Sequence, residues 1–405
     1  MDTQSPRRAG LAQGLVIIMI GILPMMAIVT LMPIVPALVK AFPHVGGIQT
    51  LAPLVLSAPG LCVALFSPFA GALTDKLGRR RLLLIFTTLY GVGGILPFFF
   101  TSFEALMAGR LLLGIGEAFI LTIGNTLLGD YFDQKARAKW LMWQSFVGPA
   151  LGTLLISGSG KLSMISWNLP FLIYATALGI AAFAAFAVFE PERRSEAASR
   201  EAGTADAGAF PVRLMARVAV STFVLAAIYF VYTLQFSLAL DQMGVKKGSD
   251  LGLYTALVSV GVPVGAILFK AIAGRSVRLQ FTVLFVLLGV GMTGIGLALG
   301  VKATMVFAFI QQLAAGMTIP VLIGWGLREL PERFRGRGMG WWCSAFFLGQ
   351  FVSPFFVSGV RLVTGDLLSA FVVFGVLCLA IAGVNALFSR KPAAAPAGGL
   401  AADRV

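Results

Sequence analysis

The stretch that decides the fold is Gly71-Ala-Leu-Thr-Asp75-Lys76-Leu-Gly78-Arg79-Arg80-Arg81. Apolar runs flank it at 48–73 and 82–102, and each is long enough for a helix that crosses a bilayer, which takes ~20 residues. Four basic residues in a short connection between two such runs are typical of a cytoplasmic loop. The stretch therefore predicts two membrane-spanning helices joined by a tight turn.

The composition of the whole chain agrees with a membrane protein. Of its 405 residues, 58% are hydrophobic and 12% are charged, and the mean hydropathy is +0.91, whereas a soluble domain carries about 25% charged residues. The net charge of +14 does not indicate nucleic-acid binding, because the basic residues lie in short clusters between apolar runs and not on one domain. Composition thus argues against a soluble enzyme.

Further apolar runs of spanning length predict an all-α membrane protein with twelve transmembrane helices, arranged as two six-helix bundles. The predicted spans are 13–36, 48–73, 82–102, 105–128, 140–160, 169–189, 218–240, 251–273, 281–301, 304–327, 338–360 and 367–388. Arg7 and Arg8 precede the first span without a cleavage site, so we predict a helix there and not a removed signal peptide.

The distribution of Lys and Arg predicts the orientation. With a cytoplasmic N-terminus, 24 of the 31 basic residues fall on the inner side, six fall on the outer side, and Arg110 lies inside a span. We therefore expect both termini in the cytoplasm of a bacterial cell, with the protein in the inner membrane. The predicted domains are an N-terminal bundle at 1–190, a flexible cytoplasmic linker at 191–212, a C-terminal bundle at 213–390 and a disordered tail at 391–405.

The loop at residues 71–81 resembles the signature G-x-L-x-D-[RK]-x-G-[RK]-[RK] of the major facilitator superfamily. This resemblance implies two bundles that alternate access to a central site, without a cofactor or a metal. It also implies that Asp75 is a gating residue, together with Gly71, Gly78 and Arg79, because the family's aspartate holds the cytoplasmic side closed. A carboxylate is stabilised by a helix N-terminus and by a guanidinium. The matching stretch of the second half, 269–275, lacks this aspartate.

Span four carries two charges, Arg110 and Glu117, which lie on one helical face together with Gly114. A charge at the bilayer centre costs ~2.5–3.5 kcal/mol on insertion scales, so such residues face the protein interior. The string around Arg110 resembles the fourth-helix motif of proton-coupled members of the family, although Leu113 replaces its usual Gln. We predict that Glu117 and Arg110 serve proton coupling; the alternatives are a structural ion pair and direct substrate contact.

Span five contains Gly148, Pro149 and Gly152, which predict a kink and a surface for close helix approach. The stretch also resembles the G-P-x-x-G-G signature of the family's antiporters, except that Thr153 replaces the last glycine.

Polar and aromatic side chains inside other spans are candidates for a substrate cavity. Tyr229, Tyr232 and Gln235 share one side of span seven, and a packing role is their alternative. The remaining candidates are Asn125, Gln144, Gln311, Gln312 and Gln350.

Two transport functions stay open at this stage. The first is proton-coupled efflux of small lipophilic or amphipathic compounds, as in the drug:proton antiporters that the motifs resemble. The second is a proton symporter that imports a small organic acid, with Arg110 pairing the substrate carboxylate. His44 is the only histidine and lies in a loop, so no catalytic cluster is available and no enzyme is expected. The expected partners are the substrate, protons and lipid, and the short loops predict a monomer.

Overall fold

The computed structural model describes residues 9–191, 211–329 and 335–388, and these are helical over most of their length. The predicted linker at 191–212 and the tail at 391–405 fall almost entirely outside these residues. The helices of the first half are α1 Leu11–Val29, α2 Val35–Ala41, α3 Ile48–Leu77, α4 Arg79–Phe99, α5 Phe103–Tyr131, α6 Gln134–Leu162 and α7 Thr176–Ala187.

The second half continues the same pattern. Its helices are α8 Val212–Gln242, α9 Gly248–Ser259, α10 Gly261–Ile272, α11 Val277–Gly296, α12 Val301–Glu329, α13 Arg335–Thr364 and α14 Leu367–Phe388. The all-α fold class is thus confirmed. We call the end of the molecule that carries the turns near residues 44, 165, 245 and 300 the outer end, following the predicted orientation, and the opposite end the inner end.

Eleven segments in the described part of the chain are long and apolar enough to cross a membrane. The predicted fifth span is the exception, and it forms α6. With 29 residues this helix is about 44 Å long, enough for a bilayer, but its lysines, glutamines, serines and glycines lower its hydropathy. Its length and position keep it as the twelfth helix of the fold.

Prolines interrupt two of the predicted spans. In span one, α1 ends at Val29 and a 3₁₀ turn, Met32–Ile34, leads into α2. Pro33 and Pro36 cause this break because they cannot donate the helical N–H bond. In span eight, Pro263 leaves the Ser259 carbonyl without its helical donor, and the helix is divided at Val260. Each broken segment still forms one candidate span, Leu11–Ala41 and Gly248–Ile272.

Two antiparallel helix pairs join the halves. In the pair α3–α13, the hydroxyls of Thr50 and Ser358 lie 2.5 Å apart, and Ser344 donates a 3.0 Å hydrogen bond to the Ala64 carbonyl. The contacts run from the outer end to the middle of both helices. Further inward, a Cβ built on Gly71 has no described atom within 4 Å.

In the second pair, α6–α9, glycines form the contact between the helices. A Cβ built on Gly252 would lie 2.9 Å from the Ile156 carbonyl oxygen and 3.0 Å from the Gly160 Cα. Thr153 and Ser259 lie 3.4 Å apart where α9 ends. These backbone approaches hold the outer end closed. The division into two independent bundles stays a prediction.

Candidate functional site

Arg110 is the centre of a buried polar cluster in the first half, and its side chain has no solvent exposure. Its Nε donates to the Val55 carbonyl at 2.9 Å, Nη2 donates to the Ala27 carbonyl at 2.5 Å, and Nη1 donates to the Tyr174 hydroxyl at 3.2 Å. The guanidinium also lies 5.6 Å from the centre of the Tyr174 ring. Hydrogen bonds to neutral acceptors, together with the cation–π contact, compensate for burial of this charge.

Glu117 lies two turns further along α5 and is 2% exposed. Within the described part of the chain no ion pair joins it to Arg110, and its Oε2 has no hydrogen-bond partner. Three residues earlier on the same helix, a Cβ built on Gly114 would lie 3.0 Å from the Cys62 Cβ of α3. Glu117 therefore lies within about one helical turn of the contact between α5 and α3.

Glycines of α5 bring this helix close to its neighbours. A Cβ on Gly114 would lie 2.6 Å from the Pro59 Cα in α3, and one on Gly116 would lie 2.7 Å from the Phe86 carbonyl oxygen in α4. Small residues permit such helix contacts in membranes, where packing drives association. The close approach to α3 places Arg110 within reach of the Val55 carbonyl on that helix.

The turn of the signature loop has a clear local cause. Gly78 adopts a φ of 89° between α3 and α4, a conformation that favours glycine. The Glu190 carboxylate accepts hydrogen bonds from the backbone N–H groups of Arg79 and Arg80 at 2.7 and 2.9 Å, and so caps α4. The Arg79 side chain forms an ion pair with Asp130 at the end of α5. The loop is thus tied to α5 and to the segment after α7.

Asp75 lies in α3, but its side chain is outside the described residues, so its gating role stays a prediction.

The predicted kink lies in α6. A Cβ built on Gly152 would lie 3.0 Å from the flexible end of the Met25 side chain. A Cβ built on Gly148 would have no described atom within 4 Å. Both glycines were expected to allow close helix approach, and among the described residues only Gly152 makes such a contact. Pro149 lies inside the continuous helix α6, where its carbonyl accepts a bond from Thr153.

Asn125 and Gln144, two of the predicted cavity residues, are brought together. They line a small cavity of about 50 Å³ between α1, α5 and α6, next to Gly21 and Gly124. The Gln144 amide packs directly against Gly21.

Of the candidates on α8, Tyr232 and Gln235 are buried and Tyr229 is partly buried, and both tyrosines contact aromatic rings. The Tyr229 ring lies 4.8 Å from that of Phe230, and the Tyr232 ring stacks on Phe236 at 4.6 Å. The Tyr232 hydroxyl and Gln235 Oε1 have no partner among the described atoms. These positions fit both a cavity and a packing role.

The three other glutamines lie at different helix contacts. Gln311 packs against Gly291 of α11, and Gln312 packs against Gly261 of α10. Gln350 faces the first half, where its amide carbon is 3.2 Å from a Cβ built on Gly60. In the described part of the chain, both amide atoms of Gln311 and Oε1 of Gln350 lack a partner. The structure does not bring these glutamines together at one point.

Four residues of these clusters were not anticipated: Tyr90, Asp130, Tyr174 and Glu190. Tyr174 anchors Arg110, and the Tyr90 hydroxyl donates to the Leu23 carbonyl at 2.6 Å. For Glu190 the sequence offers one signal, since an acidic residue directly follows a predicted span. Nothing local in the sequence marks the two tyrosines, since their partners, Arg110 for Tyr174 and the Leu23 carbonyl for Tyr90, lie more than 60 residues away in the chain.

The family follows from comparison with known proteins. A sequence profile described as "Major Facilitator Superfamily" matches residues 15–354. The chain belongs to this superfamily. It is 27% identical over 186 residues to "Tetracycline resistance protein, class H" of Pasteurella multocida, a match that covers 45% of this chain and only 46% of that protein.

Two further comparisons cover more of the chain. It is 24% identical over 372 residues to "Putative metabolite transport protein YyaJ" of Bacillus subtilis, with 80% of each chain covered. The solved structure of the POT family transporter PepTSo matches with a TM-score of 0.72 at 14% identity, covering 93% of this chain and 97% of that one. At this identity the structural match supports the fold alone.

Proposed function

We propose that this transporter exports small lipophilic or amphipathic compounds in exchange for protons, by alternating access from the bacterial inner membrane. The observation that carries the proposal is the buried Glu117 carboxylate with an unpartnered oxygen. Burying an isolated carboxylate charge is expensive, so such a group is stable when it carries a proton. A change of conformation that exposes it would release that proton.

The hydrogen bonds of Arg110 support different roles for Arg110 and Glu117. Because its guanidinium is held by two carbonyls and Tyr174, it does not neutralise Glu117 through an ion pair. Arg110 therefore acts as a fixed positive charge seven residues away on the same helix. Glu117 is left as the group whose charge changes during the cycle.

Export is favoured over import by two considerations. One is the similarity to a tetracycline resistance protein, over part of its length. The other is that Arg110 is fully buried and engaged. The alternative, import of an organic acid, requires Arg110 to leave its present acceptors and pair with a substrate carboxylate.

The test is proton flux in proteoliposomes that contain a trapped pH dye. A panel of lipophilic drugs, neutral sugars and aromatic acids is added outside in turn. We expect a lipophilic compound to drive protons out of the liposome, and we expect Glu117→Gln to abolish this flux while exchange of substrate for substrate continues. Glu104→Gln, an exposed carboxylate on the same helix, is the matched control and keeps the flux.

Either of two results would contradict the proposal. Unchanged proton coupling in Glu117→Gln removes this residue from the mechanism. Acidification of the interior together with uptake of an organic acid replaces the exporter by the symporter.

A further inference from the structure

A pocket of about 320 Å³ lies at the outer end, where the two halves meet. Its volume is at the lower end of the ~300–1,000 Å³ range of small-ligand sites. The first half contributes Lys40, in the last turn of α2, and Ser163, which follows α6. The second half contributes Lys246, Lys247 and Gly248 from the start of α9. The pocket exists only while the outer ends are together.

Two of the three lysine ammonium groups at this pocket share one carboxylate, that of Asp241. The Lys246 Nζ lies 3.0 Å from Asp241 Oδ2, and the Lys40 Nζ lies 3.7 Å from Asp241 Oδ1. Among the described residues Lys247 has no acidic partner. The side chains of Lys40 and Lys246 are 60% and 58% exposed, so both remain within reach of a solute. The cluster therefore has an excess of positive charge.

The backbone at the same place adds donors. Helix α9 has 12 residues, and its N-cap, Lys247, provides no side-chain cap. The N–H groups of Asp250 and Leu251 donate to the Lys247 carbonyl, whereas those of Gly248 and Ser249 have no acceptor among the described residues. Such N–H groups favour an anion. The Asp250 carboxylate in this first turn offsets only part of the positive charge.

The position of the lysines links this charge to the conformation. Lys40 belongs to one half and the pair Lys246–Lys247 to the other, so their mutual repulsion opposes closure of the outer end. Asp241 compensates for part of this repulsion. A doubly charged oxyanion between the halves would compensate for the rest.

We propose that this pocket binds a phosphate-type oxyanion, and that the bound anion stabilises the outer-closed conformation. The site is separate from Glu117 and does not depend on the proposed direction of transport. The phosphate group could come from a free solute or from an anionic phospholipid of the outer leaflet, and the experiment separates these sources.

Binding is measured first, by equilibrium dialysis of radiolabelled inorganic phosphate against the purified full chain in detergent at constant ionic strength. We expect saturable binding that weakens by about two- to fivefold in Lys247→Gln, the range for loss of one exposed ion pair, and that disappears in Lys40→Gln/Lys247→Gln. Lys302→Gln removes an outer lysine outside the pocket and is the matched control, with parental affinity.

Conformation is measured second, as the distance between spin labels at Gly46→Cys and Leu299→Cys, with the native cysteines replaced. Phosphate should increase the outer-closed population in the parent and in Lys302→Gln, but not in the double lysine variant. If nanodiscs of phosphatidylglycerol have this effect relative to phosphatidylcholine, and free phosphate does not, the source is the lipid. The proposal is overturned if neither probe acts, or if Lys247→Gln and Lys302→Gln respond equally.

Discussion

Replacing Gly160 by alanine should open the outer end of the transporter. A Cβ at this position would lie 2.8 Å from the Cα of Gly252 and 3.1 Å from its nitrogen, and it would overlap the Gly248 carbonyl oxygen. All three atoms belong to the backbone of α9, so no side-chain rotation can remove the clash. The helices α6 and α9 must move apart.

The size of the effect follows from the cost of overpacking. Inserting a methyl group into a packed contact costs about 1–3 kcal/mol. Because this cost applies only while α6 and α9 are in contact, it changes the ratio of outer-open to outer-closed protein. An energy of this size corresponds to a shift of roughly 5- to 150-fold.

Gly158→Ala is the matched control on the same helix, because a Cβ there has no described atom within 4 Å. Both substitutions gain the ~1 kcal/mol helix preference of alanine over glycine, so their difference isolates the contact. The assay is the distance distribution between spin labels at Gly46→Cys and Leu299→Cys. Equal distributions for Gly160→Ala and Gly158→Ala would refute the argument that these glycines close the outer end.

Three further substitutions test other parts of the structure. Asp75→Asn should shift the population toward the inward-open state, and equal cysteine accessibility from both sides in mutant and parent would count against this gating role. Glu190→Ala should cost about 0.5–2 kcal/mol through loss of the cap on α4, measured as a lower unfolding temperature and as faster hydrogen exchange at the Arg79 and Arg80 amides. Unchanged exchange there would contradict the capping role. Arg110→Lys should lower the unfolding temperature, because an ammonium cannot reproduce the planar arrangement of donors to two carbonyls and a tyrosine, and a parental temperature would show that this geometry is not needed.

In the signature loop, some features of the candidate site can be predicted from the sequence and others cannot. The requirement for glycine at residue 78 could be inferred, because one residue must reverse the chain between two spans. The Arg79–Asp130 pair and the cap by Glu190 could not, since each joins residues far apart in the chain. A carboxylate at either position has many possible N–H donors, and only the packing of α5 and α7 beside the loop selects the partner.

Arg110 and Glu117 show the same limit in the membrane interior. Their shared face follows from helical periodicity, and their burial follows from the cost of a charge in lipid. Whether they pair could not be predicted. The structure gives Arg110 the carbonyls of Ala27 and Val55, which are 83 and 55 residues away.

By itself, the sequence determined the helical class, the positions of the spans and the family. The physical reason is that a segment in lipid must satisfy its own backbone hydrogen bonds as a helix and must present about 20 apolar residues. Both requirements concern residues that are close together in the chain, so the sequence shows them directly. Only the tertiary structure decided which end of the molecule is closed, and which atoms surround the buried charges. Backbone carbonyls and glycine contacts occur throughout the chain, so packing alone selects the few that meet.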